Sequence, residues 1–257
     1  MGRVSPVGSL LTFASNMKLD GIIFPAKELK TLPEHVAVFT VTSLDFANEL
    51  SFLVKALFAS MPQEIPKEDW KHSLLTSQAL FYTEIAAGKL YEYWRCIETQ
   101  YWGLKISQLY HDQIDKSSTT ALDKLKSYFS DPNNAIKQIR RSYAFHSDPD
   151  KVAQLIRDLP DDTDCRMTVS PNYTNVFFEF ASGICHRGVY GFSPGNAESK
   201  TMHLIQNVVI PTLMNALTFA HGFSVIVLKD FQYDTVELGE VSFTKIEDME
   251  LPFFVER

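Results

Sequence analysis

Between Ile136 and His146 the chain reads Ile-Lys-Gln-Ile-Arg-Arg-Ser-Tyr-Ala-Phe-His, with two arginines and a histidine on one expected helix. A histidine titrates near pH ~6.5 and can both take and give a proton at neutral pH. A guanidinium presents a fixed fork of donors that fits a phosphate. Together they are the minimum kit for metal-free cleavage of an RNA phosphodiester. The base removes the proton of the 2′-hydroxyl, and the guanidinium holds the charge that grows on the phosphate oxygens. In that chemistry His146 is the acid/base group, Arg140 binds the phosphate, and Arg141 and Lys137 contact the substrate.

This spacing resembles the Rx4–6H signature of HEPN domains, helical proteins that include many ribonuclease toxins. Arg140 stands five residues before His146 and Arg141 four. The residue after the motif arginine is usually polar in that family, and Arg141 fills the place. The helix order is similar too: a long helical pair first, shorter helices next, and the motif late. The resemblance covers roughly residues 42 to 159. It implies a ribonuclease of toxin or defence type, an RNA substrate, and an antitoxin or other protein partner. It also implies a homodimer with a composite site on its two-fold axis. Helical geometry agrees with that last point. At about 100° per residue, Arg140 and His146 lie about 120° apart around the axis, and Arg141 and His146 about 140°. One regular helix does not present both groups to one phosphate. An isologous interface along the motif helix would.

A different class of function stays open on the same residues. A histidine in a last helical turn satisfies exposed carbonyls and complements the helix dipole. Helix arginines commonly pair with acidic neighbours, and Glu92, Asp148 and Asp150 are candidates. On that account the chain is a non-catalytic helical binding or scaffold protein for a nucleotide or protein partner. Lys124, Lys126, Lys137, Arg140 and Arg141 make this stretch basic within a chain of net charge −7. That suits a confined phosphate site, and equally a solvated helix face.

The elements that must position these residues are mostly helices. Thr42 caps a first helix, with a stripe of Phe46, Leu50, Leu53, Val54 and Leu57. Pro66 opens a second, marked by Trp70, Leu74, Phe81, Ile85, Trp94 and Ile97, that runs to about Gln113 with a break near Gly103. Gly88 to Trp94 is dense in aromatics and reads as helix core at a close crossing, or as an aromatic surface for a base or partner helix. Ser117 to Thr120 form a linker and cap before a helix over 121–129. Asp131-Pro132 starts the motif helix, which ends near Ser147, and Asp148-Pro149 starts another that ends at Leu159.

The texture changes at Pro160. Met167 to Ser170 and Val176 to Phe180 read as the two strands of a β-hairpin, with the run Val176 to Phe180, Tyr173 and Tyr190 as sheet core. Glycines 183, 188, 191 and 195 mark loops. A helix runs from Glu198 to about His221, broken near Pro211, and Ser224 to Leu228 is its continuation or a strand. A further edge strand is expected over 240–244. The expected organisation is an irregular N-terminal arm (1–41), a HEPN-like helical bundle (42–159) and an α+β extension packed on it (160–257). The fold class is mainly α.

Composition removes other classes. Hydrophobic residues make up 45% of the 257 and charged residues 21%, which excludes disordered, collagen-like and coiled-coil chains. The net negative charge disfavours broad, sequence-independent nucleic-acid binding. Cys96, Cys165 and Cys185 are odd in number and widely spaced, as in a cytoplasmic chain with reduced thiols. Cys185-His186 has no second ligand pair at metal-binding spacing, so neither metal nor cofactor is expected. No uninterrupted apolar run approaches the roughly 20 residues that span a bilayer, so no membrane association is expected. GxxxxGK[ST], GxGxxG, HExxH and GxSxG are all absent.

Overall fold

The computed structural model describes residues 16–61, 69–142, 149–163, 165–167, 176–190 and 201–242. Strand β1 (Asn16–Ile23) and a short helix α1 (Ala26–Thr31) lead into α2 (Glu34–Ser60). Helix α3 (Asp69–Cys96) continues into a π-helical turn at Ile97–Trp102, then α4 (Ile106–Tyr110) and a 3-10 turn. Next come α5 (Lys116–Ser130), α6 (Ala135–Ser142), α7 (Pro149–Arg157) and α8 (Glu179–Tyr190). A second π turn (Leu204–Val209) opens α9 (Ile210–Leu228), and β2 (Asp234–Ser242) follows. The protein is mainly α, with one small antiparallel sheet.

Helix α2 starts well before Thr42. Pro33 stands at its N-cap, and Val36, Phe39 and Thr40 already lie in the core. Thr42, expected as the cap, therefore lies inside the helix and caps nothing, and nearby Thr40 donates its hydroxyl to the Val36 carbonyl at 2.7 Å within the same helix. Residues 26–41 are therefore largely helical, where an irregular arm was expected.

The break near Gly103 is present. The π turn brings the Thr99 carbonyl to 2.2 Å from where a Cβ on Gly103 would sit, so only glycine fits. Lys105, at φ 60°, is the left-handed residue that redirects the chain. The expected start at Pro66 lies outside the described residues.

Helix α5 begins at Lys116, so Ser117 to Thr120 form its first turns and no linker. Asp115 is the cap: its carboxylate accepts the Ser117 and Ser118 amides at 2.8 and 3.1 Å. The Ser117 and Ser118 hydroxyls also donate to it and hold its pKa well below the usual carboxylate range. The single Ser118 hydroxyl proton is shared between that carboxylate and the Thr218 carbonyl of α9, which lies 3.0 Å from Oγ. There Gly222 lets α9 and α5 meet, since a Cβ would fall 2.0 Å from Ser118 Oγ.

One hydrophobic core joins α2, α3, α5, α6 and α9. Its aromatic centre is Phe39, Tyr101, Phe219 and Phe223, with ring centroids 5.0 to 6.2 Å apart. Helix α9 packs on α5, α2 and α3. It comes from the segment expected as an extension, yet it completes the bundle. Ser224 to Leu228 continue that helix.

The C-terminal strands differ most from expectation. Glu179 and Phe180 begin α8, and Gly183 and Gly188 lie inside that helix. Phe178 and Phe180 are exposed and form no sheet core. The antiparallel sheet instead pairs β1 with β2, from opposite ends of the described chain. Gly239, at φ 96°, accompanies a register shift that leaves Leu238 against Gly21. Met167 is exposed, and residues 168–175 lie outside the described part.

Helices α2 and Thr201–Leu228 are long and apolar enough to cross a bilayer, with mean hydropathy 1.2 and 1.4. Scattered polar residues break both into short runs, so a search for uninterrupted apolar stretches passes over them. Half of the second window is buried within the core.

Candidate functional site

Helix α6 is fixed before any of its charged side chains act. Ile136 and Ile139 are fully buried and set its inner face against α3. Asn134 caps it, with Oδ1 accepting the Lys137 amide at 2.9 Å, so the start lies past the expected Asp131-Pro132. Asp131 instead closes a local turn by accepting the Asn133 amide. The Ile136 amide donates to Tyr128 Oη, which ties α6 to α5.

This places the sequence-derived residues in distinct surroundings. Arg140 Nη2 donates to Glu92 Oε1 of α3 at 3.0 Å, as a salt bridge. Its guanidinium lies over the Tyr91 ring, 5.3 Å from the centroid. Its Nε is buried with no hydrogen-bond partner. Arg140 therefore faces α3 with its charge balanced. Arg141 is exposed and Lys137 half-buried, and the two stand one turn apart on the same side of α6. Among the described residues neither has a carboxylate partner. His146 lies outside the described residues.

Tyr91 is the partner that sequence reasoning did not assign. The Gly88–Trp94 segment raised either a helix core or a ligand-facing aromatic surface. Tyr93 and Trp94 are core, with Trp94 stacked on Phe129 at 5.0 Å, and Tyr91 receives the arginine. The usable signal was adjacency: an aromatic and a carboxylate in sequence form a two-part seat for one guanidinium.

Other groups with acid/base or nucleophilic character sit elsewhere. Glu84 of α3 is half-buried, and desolvation pushes its pKa up to about 7. Tyr93 is fully buried and shares a 2.6 Å hydrogen bond with Ser43; burial raises its pKa. Tyr101 Oη lies 3.3 Å from His111 Nδ1, and burial raises this phenol too. Burial also pushes the Cys96 thiol up to about 11, so it is a poor nucleophile at neutral pH. All three cysteines are free, with Cys165 and Cys185 exposed. Among the described residues no three His, Cys, Asp or Glu side chains are grouped to hold a metal ion.

Compared with known proteins, the chain matches no family model, no curated protein and no solved structure. The likeness to HEPN domains therefore rests on the motif spacing and the helix order alone.

Proposed function

We propose that this chain is a non-catalytic helical binding or scaffold protein, in which the motif arginine fastens α6 to α3. The supporting observation is the seat of Arg140: a carboxylate on one side and an aromatic face on the other. A phosphate approaching Arg140 would meet the Glu92 carboxylate already held by Nη2, and the two anions would repel each other. A double-mutant cycle tests this reading. Arg140→Ala and Glu92→Ala should each destabilise the fold by about 1 kcal/mol. The pair should lose less than the sum, since a partly exposed ion pair contributes about 0.2–1 kcal/mol. Strict additivity, with unchanged stability for Arg140→Ala, would remove the support.

The ribonuclease reading is the second one, and a specific observation favours it. Lys137 and Arg141 are two like charges one turn apart with no carboxylate partner among the described residues, an arrangement that costs stability unless an anion joins them. On that reading Arg141 supplies the phosphate contact, His146 the proton transfer, and RNA is the substrate.

A further inference from the structure

Helix α2 is apolar on two opposite sides. Its inner face, including Phe39, Ser43, Leu50, Val54 and Leu57, is buried in the bundle. On the opposite side Glu34, Val38, Val41, Asp45, Asn48, Phe52 and Lys55 are exposed. Their spacing alternates between four and three residues, the pattern that keeps one seam facing a partner helix over many turns. Val38 is 50% exposed, Val41 52% and Phe52 66%. A solvated helix face normally has charged residues at such positions. Only 28% of the most apolar window of α2 is buried.

We propose that this stripe packs against the same stripe of a second copy of the chain, with the two α2 helices antiparallel. The argument is the charge pattern. A two-fold axis between Asp45 and Asn48 places Val41 against the second copy's Phe52 and Asp45 against its Asn48. It also places Val38 against the stem of the second copy's Lys55. Glu34 lies one turn beyond Val38, within reach of that ammonium. Each polar residue of the seam thus meets its complement, and each apolar residue meets an apolar surface. The amide of Asn48 donates to the Asp45 carboxylate, a charge-assisted bond that fixes register.

The other arrangements are penalised. A parallel pair stacks Glu34, Asp45 and Lys55 on their own copies. An antiparallel slip of one heptad buries either Asn48 against Phe52 or Asp45 against Val41, and a buried polar group without a partner is costly.

This interface is distinct from the one expected along α6. Lys89 and Tyr93 of α3 reach α2, through Glu49 and Ser43, whereas Tyr91 and Glu92 reach Arg140 of α6. At about 100° per residue the centres of these pairs lie about 130° apart around α3. The proposal stands whether α6 is structural or catalytic.

Light scattering and equilibrium sedimentation of the full chain at tens of micromolar test it. A dimer is expected, and Val41→Asp/Phe52→Asp should weaken its association at least about 100-fold. Both side chains are at least half exposed, so the variant should keep its helical circular dichroism. Register is read by cysteine cross-linking in a Cys165→Ser/Cys185→Ser background. Asp45→Cys/Asn48→Cys should form a covalent dimer on mild oxidation, and Lys55→Cys should not. A monomeric wild type overturns the proposal, including one that instead sediments with phospholipid vesicles. So does a dimer that survives the aspartate substitutions, or preferential cross-linking through Lys55→Cys.

Discussion

The outward stripe of α2 and the inward side of α6 show opposite treatments of residues that drew notice in the sequence. On α6 the chemically capable residue, Arg140, lies along α3 at the surface, where its charge is answered by Glu92 and Tyr91. On α2 the residues that belong in a core by type, Val38, Val41 and Phe52, are turned out and at least half exposed, with only the Lys55 ammonium over the Phe52 ring. A reactive residue type does not make a site until its charge is free. An apolar residue type does not make a core until something covers it. Arg140 thus has its partners within the chain, whereas among the described residues the α2 stripe has only Lys55 over the Phe52 ring.

The largest test of this contrast separates the two sides of α2. Phe39→Ala removes a fully buried ring from the aromatic centre and should cost about 3–5 kcal/mol in urea unfolding. Phe52→Ala, measured at a dilution where the chain is monomeric, should change stability by less than about 0.5 kcal/mol. It should nevertheless weaken self-association. Equal costs at the two positions would show that the outer stripe is covered within the monomer.

A second test uses Glu84, a charge held within α3. Its folded pKa is raised from 4.5 to about 7. Below the lower value both folded and unfolded states are protonated and the group has no effect. Between the two values the unfolded chain ionises first, so stability falls as pH rises, and above about 7 the loss is constant. Glu84→Gln should therefore be more stable than wild type at pH 8, by on the order of 1 kcal/mol after solvent screening. That advantage should vanish near pH 4. An advantage independent of pH would mean that the glutamine gains by packing instead.

The smallest effect belongs to the free cations. Lys137→Ala and Arg141→Ala should each shift the melting midpoint by less than a degree or two, because neither has a carboxylate partner among the described residues. Neither should alter the dimer. Destabilisation as large as that of Arg140→Ala would erase the distinction between the inward and outward sides of α6.

The sequence made the helices legible where an apolar stripe was regular, as in α3, or where an Asp-Pro pair marked a start, as near α6 and at α7. It also supplied Glu92 as a possible neutraliser of a motif arginine, without its position. Three kinds of feature escaped it. Side-chain hydroxyls at 117–120 resemble a cap cluster, but Asp115 is the stronger acceptor and takes that role one residue before the helix. Val-Phe-Phe-Glu-Phe at 176–180 has the aromatic and β-branched residues of a strand, yet its second half joins α8, which packs on α7 and α3. The sheet joins segments far apart in sequence, and no local pattern reports such a pairing. Helix α2 hid its earlier start for a related reason: with apolar residues on two faces, its periodicity is weak until both are recognised.

The central proposal is that Arg140 serves the fold and that the Arg–His segment carries out no reaction. Incubation of the purified full chain with mixed-sequence RNA in EDTA tests it most directly, with His146→Ala alongside. The account predicts no cleavage above buffer by either protein at micromolar concentration. Metal-independent cleavage by the wild type that falls about 100-fold or more in His146→Ala, with an unchanged melting temperature, would contradict it.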